Sequence, residues 1–164
     1  MDSRKIATVL EERYPEPSLH LDAPQLARLE QCMPQAAAKL RPILVPRVPK
    51  VLLNDASLDH WYTTREAAVG MTVDEYEKTG GPGGANVWKE AEPALKQVTA
   101  LLMETDGPFF MSNQVSYADF MWASLLNFWK KLGELDRLLE TAGEKEAHLK
   151  LLEGVSQWAE RDDH

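Results

Sequence analysis

Val115-Ser116-Tyr117-Ala118-Asp119-Phe120, with the apolar run that follows it to Leu132, decides how the rest of the chain is read. Asp119 follows Ser116 by three residues. The serine hydroxyl can therefore accept from the Asp119 N–H, and the Asp119 carboxylate from the Ser116 N–H. Each bond satisfies a donor that a helix start leaves without an intrahelical partner. Val115 stands before the cap and Phe120 at the fourth helical position, the spacing of a hydrophobic staple. Behind them, Phe120, Met121, Trp122, Ala123, Leu125, Leu126, Phe128, Trp129 and Leu132 are apolar on nearly every side, and a domain wraps such a helix. Asp119 reads as a structural cap rather than a catalytic acid.

Outward from this strut, the pattern is helical throughout. Ile6, Val9 and Leu10 recur at helical spacing behind the Ser3 cap, and Pro15-Glu16-Pro17 stops that helix. Tyr14 to Pro24 carries three prolines and reads as a linker. Leu26, Leu29, Cys32 and Met33 share the face of a second helix, starting near Ala23 after the Asp22 cap, which Pro34 should break or kink before a short turn from Ala36 to Leu40. Lys39, Arg41, Arg47 and Lys50 then stand among Pro42, Pro46 and Pro49. That stretch predicts a non-helical basic loop, either solvated or aimed at an anion.

Asn54 or Asp55 caps a helix through Trp61, Tyr62 and Arg65 that ends at Gly70. Thr72-Val73-Asp74-Glu75 is a second capping box. Thr79-Gly80-Gly81-Pro82-Gly83-Gly84 is a turn rather than a phosphate loop, because no Lys-Ser/Thr follows it. Asn86 is expected to cap a long helix kinked by Pro93, running to Leu102. After the central helix, Leu135, Leu138 and Leu139 form a short amphipathic helix ended by Gly143, and a last helix spans about 144–160. No strand pattern or repeat emerges, so the fold class is all-α.

A length of 164 residues suits a single domain, and a net charge of −8 disfavours a nucleic-acid partner. No apolar run approaches the ~20 residues of a membrane span, and no membrane partner is expected. Cys32 is the single cysteine, which points to a reducing, cytoplasmic setting. It reads as a small buried hydrophobe rather than a nucleophile. His20, His60, His148 and His164 lack metal-ligand spacing, and no metal is implied.

Pro108-Phe109-Phe110-Met111-Ser112-Asn113-Gln114-Val115-Ser116-Tyr117-Ala118-Asp119 resembles the C-terminal helical domain of the glutathione transferase superfamily. In that family a glycine-containing turn leads into a Ser/Thr-x-x-Asp cap. Ser112 departs from the pattern, standing where the family usually has glycine, and strain is expected there. Asp2-Ser3, opening a short helix, resembles the end of the family's thioredoxin-like half, where such a pair holds the γ-glutamyl end of glutathione. The resemblance therefore implies residues 1–17 as the last helix of a thioredoxin-like domain and 18–164 as the helical domain. Two readings of the start stay open: a true short chain, or an internal methionine taken as the first residue. Asp59-His60-Trp61-Tyr62-Thr63-Thr64-Arg65-Glu66 resembles a segment of fungal, etherase-like members found in some secondary-metabolite clusters.

What the resemblance implies is transfer of glutathione, as co-substrate, to a small hydrophobic electrophile. This chain would supply the pocket wall, with Tyr62, Arg65 and Trp122 as candidates and packing or surface pairing as their alternative. The thiol-activating half is expected to be missing, the chain to be inactive alone, and a homodimer to be a candidate assembly. The competing class is a non-catalytic helical interaction domain.

Overall fold

The computed structural model describes residues 3–159. Among them lie eight α-helices and no strand: α1 (Ser3–Arg13), α2 (Pro24–Val51), α3 (Asp55–Val69), α4 (Val73–Thr79), α5 (Ala85–Leu102), α6 (Tyr117–Lys131), α7 (Leu135–Ala142) and α8 (Lys145–Val155). Short 3-10 turns occupy Pro82–Gly84 and Ser156–Trp158. The expected all-α class holds.

The organising contact is the pair α2 and α5. Arg28 on early α2 meets Glu104 just beyond the end of α5, and Lys39 further along meets Glu90 near its start, so the two run antiparallel. Leu26, Leu29, Ala36 and Leu40 of α2 face Ala91, Leu95, Val98 and Leu102 of α5 in one core. Trp122, Leu126 and Trp129 of α6 join them, closed off by Leu138 and Leu139 of α7 and Leu151 of α8. Each fully buried Leu or Trp contributes on the order of 2–3 kcal/mol by removal from water, which makes this one core the main source of stability.

The sequence reading placed a break or kink at Pro34 and a basic loop over residues 39–50. Instead, α2 is helical across Pro34, Pro42, Pro46 and Pro49, beginning with Pro24 at its first position. A proline at the first turn gives up an N–H with no helical partner anyway. The later three are spaced four and three residues apart, so the missing N–H groups share one stripe of the helix. The carbonyls they free belong to Ala38, Pro42 and Val45. Val45 finds a replacement donor, because the Trp61 indole N–H of α3 donates to its carbonyl oxygen at 3.2 Å. Three of the basic residues are paired as well: Lys39 with Glu90, Arg47 with Glu134, and Lys50 with Glu77.

Several boundaries follow their local signals. The Asn54 side chain accepts from the Ser57 N–H, Gly70 ends α3 with φ 75°, and Thr72 with Glu75 forms a full capping box. Asn86, expected as a cap, lies inside α5, whose cap position is Gly84 at φ 73°. Helix α5 runs from Ala85 to Leu102 with Pro93 inside it, and α8 ends at Val155, short of the expected span. Nor is α6 wrapped on every side: Ser124, Asn127 and Lys131 open onto a groove shared with α8.

The turn before α6 is tightly built. Ser112 takes φ 62°, a left-handed conformation that strains a residue with a β-carbon. The Ser112 hydroxyl donates to the Asp106 carbonyl at 2.8 Å, and its N–H donates to Phe109 O at 3.0 Å and Thr105 Oγ1 at 3.1 Å. Gly107 lies against it so closely that a β-carbon there would stand 2.3 Å from the Ser112 carbonyl oxygen.

Candidate functional site

The Ser116–Asp119 cap fixes the start of α6. Both halves of the capping box are in place. The Asp119 carboxylate, wholly buried, accepts from the Ser116 N–H and hydroxyl, each at 2.7 Å, and from the Phe110 N–H at 2.9 Å. Burial raises its pKa, opposed by these hydrogen bonds from Ser116 and Phe110. These partners are structural, and one of them, Phe110, ties the preceding turn to the helix. The Tyr117 N–H donates to Leu19 O at 2.9 Å, so the linker is seated on the same helix start.

Helix α1 is held at that end. Arg4 donates to Leu21 O at 2.7 Å, pairs with Glu30 at 3.4 Å and lies over the Tyr117 ring. The Glu11 carboxylate accepts from the Ser18 hydroxyl and the Leu19 N–H, and these two bonds lower its pKa. Ser3 sits exposed at the first position of α1, while Asp2, its expected companion, lies outside the described residues. Ala7 is the buried residue of α1, whereas Ile6, Val9, Leu10 and Tyr14 are exposed.

The three residues named for the pocket wall are not gathered in one place. Tyr62 and Arg65 are half-buried on α3, a helix with no buried residue that packs on α2 and α4. The Arg65 guanidinium lies 4.4 Å from the centre of the Trp61 ring, a cation–π contact over the indole that serves Val45. Trp122 is in the core instead. It presents no surface to solvent and so lines no open cavity. Cys32 is partly buried, its thiol directed at Gln97 Oε1 at 3.4 Å.

Trp122 belongs to a buried polar chain that sequence spacing did not reveal. Its indole N–H donates to His148 Nδ1 at 3.0 Å. That bond leaves the imidazole proton on Nε2, which faces Thr99 Oγ1 at 3.0 Å. The Thr99 hydroxyl in turn donates to the Ala142 carbonyl at 2.9 Å. Burial lowers the His148 pKa to about 4, against a contribution from Gly143 that raises it. The ring is therefore neutral at pH 7 and couples α5, α6, α7 and α8. Its four members lie at 99, 122, 142 and 148, too far apart for a motif search.

A concave site does exist at the far end of α2, with a cavity volume of about 310 Å³. Pro42 and Ile43 of α2 form its apolar wall, Gly81, Gly83 and Gly84 its rim, and Trp88 of α5 its base. Arg47, Lys50 and Arg137 supply charge. Arg47 Nε donates to Leu132 O at 2.6 Å and Nη1 reaches Glu134 at 2.8 Å. Arg137 donates to Gly83 O at 2.6 Å and lies 5.3 Å from the centre of the Trp88 ring. Arg47 and Lys50 were visible in the sequence as basic residues, whereas no motif in the sequence marks Trp88 or Arg137. Among the described residues no group of three or more His, Cys, Asp or Glu could hold a metal ion, and no helix is long and apolar enough to cross a membrane.

Comparison with known families gives one finding. The sequence model of the family described as glutathione S-transferase, C-terminal domain, matches residues 23–153. That span covers α2 to α7 and most of α8. No curated protein and no solved structure matches the chain.

Proposed function

Because the chain belongs to the glutathione S-transferase C-terminal domain family, we propose that it is the helical, electrophile-side half of a glutathione transferase-like protein. The observation that carries this reading is the coincidence of the matched span, 23–153, with the single packed core from α2 to α8. The reaction of such a protein joins the glutathione sulfur to an electrophilic carbon as a leaving group departs. The thiol proton passes to an activating group, since the thiolate is the nucleophile. The activating hydroxyl or thiol comes from a thioredoxin-like unit, for which residues 1–17 are the adjoining helix. Asp2 and Ser3 would meet the γ-glutamyl end of glutathione, with the helix start favouring a carboxylate and Asp2 an ammonium. Tyr62 and Arg65, half-exposed beside the end of α2, are the residues offered to the electrophile, and the segment 59–66 supports an etherase-like, fungal type. A cytoplasmic setting and a homodimer belong to the same reading.

The exposed apolar face of α1 favours a second, non-catalytic reading as an interaction domain, because Ile6, Val9, Leu10 and Tyr14 need cover. Calorimetric titration with glutathione tests the first reading. A helix start and one carboxylate, without the other contacts of a full glutathione site, give a dissociation constant of about 1 mM or weaker. Binding weakened further by Ser3→Ala supports the assignment, and binding indifferent to Ser3→Ala removes Ser3 from the site.

A further inference from the structure

We propose that the cleft between the end of α2, the Pro82–Gly84 turn, the start of α5 and α7 binds a small monocarboxylate with an apolar or aromatic body. This site is independent of the glutathione reading. Arg47 lies twenty-three residues beyond Pro24, about 35 Å along the helix from the end that holds α1.

Three observations point to this ligand class. The first is an orphan donor. Trp88 is 95% buried (5% exposed), and its indole N–H has no hydrogen-bond partner. A buried donor without a partner is costly, and an acceptor entering the cleft would relieve it. The donor lies just beneath the Gly84 rim, where a β-carbon would stand 3.7 Å from Trp88 Nε1 and 3.0 Å from Ile43 Cδ1, so an acceptor reaches it by a small shift of that turn. Gly81, Gly83 and Gly84 take φ of 76°, 56° and 73°, conformations glycine adopts freely, and the rim they form is held by the Gly84 N–H donating to Gly81 O at 3.0 Å and by Arg137 donating to Gly83 O.

The second observation is the charge. Arg47, Lys50 and Arg137 face Glu77 and Glu134, three cations against two carboxylates, on a chain whose net charge is −8. One cationic charge is in excess, which suits a monoanion better than a doubly charged phosphate. Arg137 is the best placed, since its planar guanidinium, stacked on Trp88, can offer a paired N–H edge to a carboxylate. The third is shape. Pro42, Ile43 and the edge of Trp88 make an apolar wall beside the charged groups, and about 310 Å³ suits a small ligand rather than a polymer.

The test is a titration of the ¹⁵N-labelled chain with phenylacetate, following the tryptophan indole N–H signals, with the Trp88 signal identified by its loss in Trp88→Phe. The expected result is a saturable downfield shift of that signal. Phenylacetamide and inorganic phosphate should each bind about tenfold more weakly, as should Arg137→Gln. Lys50→Gln, at an exposed position, should weaken binding severalfold and serves if Arg137→Gln does not fold. No saturable shift up to about 10 mM phenylacetate would overturn the proposal. So would equal binding of the amide or of phosphate, or binding indifferent to both charge substitutions.

Discussion

Acidification from pH 7 to pH 5 should destabilise this protein through His148. The imidazole is fully buried, accepts from Trp122 and faces Thr99, and its pKa falls from 6.5 to about 4 on folding. The unfolded chain therefore binds a proton below pH 6.5 that the native state refuses until about pH 4. The stability this group contributes is present above the unfolded value and is lost as pH falls toward the folded one. Integrated from pH 7 to pH 5, the loss is about 2 kcal/mol, rising to about 3 kcal/mol by pH 4. Urea unfolding followed by circular dichroism at pH 7, 6 and 5 reads the slope directly. His148→Gln should be less stable at pH 7 yet lose about 2 kcal/mol less than the native chain over that interval. The remaining histidines stay in both proteins and cancel. Equal pH slopes in the two proteins, or an imidazole whose NMR signals titrate near pH 6.5, would refute the enclosed, neutral assignment.

Other outcomes follow from single contacts. Gly107→Ala should destabilise by about 3 kcal/mol, measured by the urea midpoint, because its β-carbon meets backbone that cannot rotate away. Trp61→Phe should cost about 1 kcal/mol by exposing the Val45 carbonyl, and less in a Pro49→Ala background, where the restored N–H serves that carbonyl; a double-mutant cycle measures the difference. Asp119→Ala should cost about 3 kcal/mol against about 1 kcal/mol for Ser116→Ala, since the carboxylate serves the N–H groups of both Ser116 and Phe110; thermal melts rank the pair.

What the sequence made legible was chemistry closed within three or four residues. Ser116 with Asp119, Thr72 with Glu75, Asn54 with Ser57, and Gly70 at a helix end each solve a local problem visible in the residues themselves. The same local view misread α2, because its prolines argue against a helix unless a donor arrives from elsewhere. Trp61, sixteen residues beyond Val45, is such a donor. Asn86 lost the expected cap because Gly84 could take a positive φ two residues earlier. Trp122 was named for a pocket wall, with packing as the alternative, and the choice turned on His148, a partner that stands on another helix. The charged cleft escaped for a similar reason: its residues run from 42 to 137 and meet only once α2, α5 and α7 have packed.

As proposed, this helical domain works on the electrophile side of a glutathione transfer whose thiol a thioredoxin-like unit activates. The most direct measurement is the initial rate of glutathione conjugation to an aryl halide at pH 7. It compares the 164-residue chain alone, a thioredoxin-like glutathione-binding unit alone, and the two fused in that order. The chain alone should give the background rate, and the fusion a rate at least about tenfold above either part, since both reactants must be held together. Turnover by the chain alone that Ser3→Ala abolishes, or a fusion no faster than the thioredoxin-like unit, would contradict it.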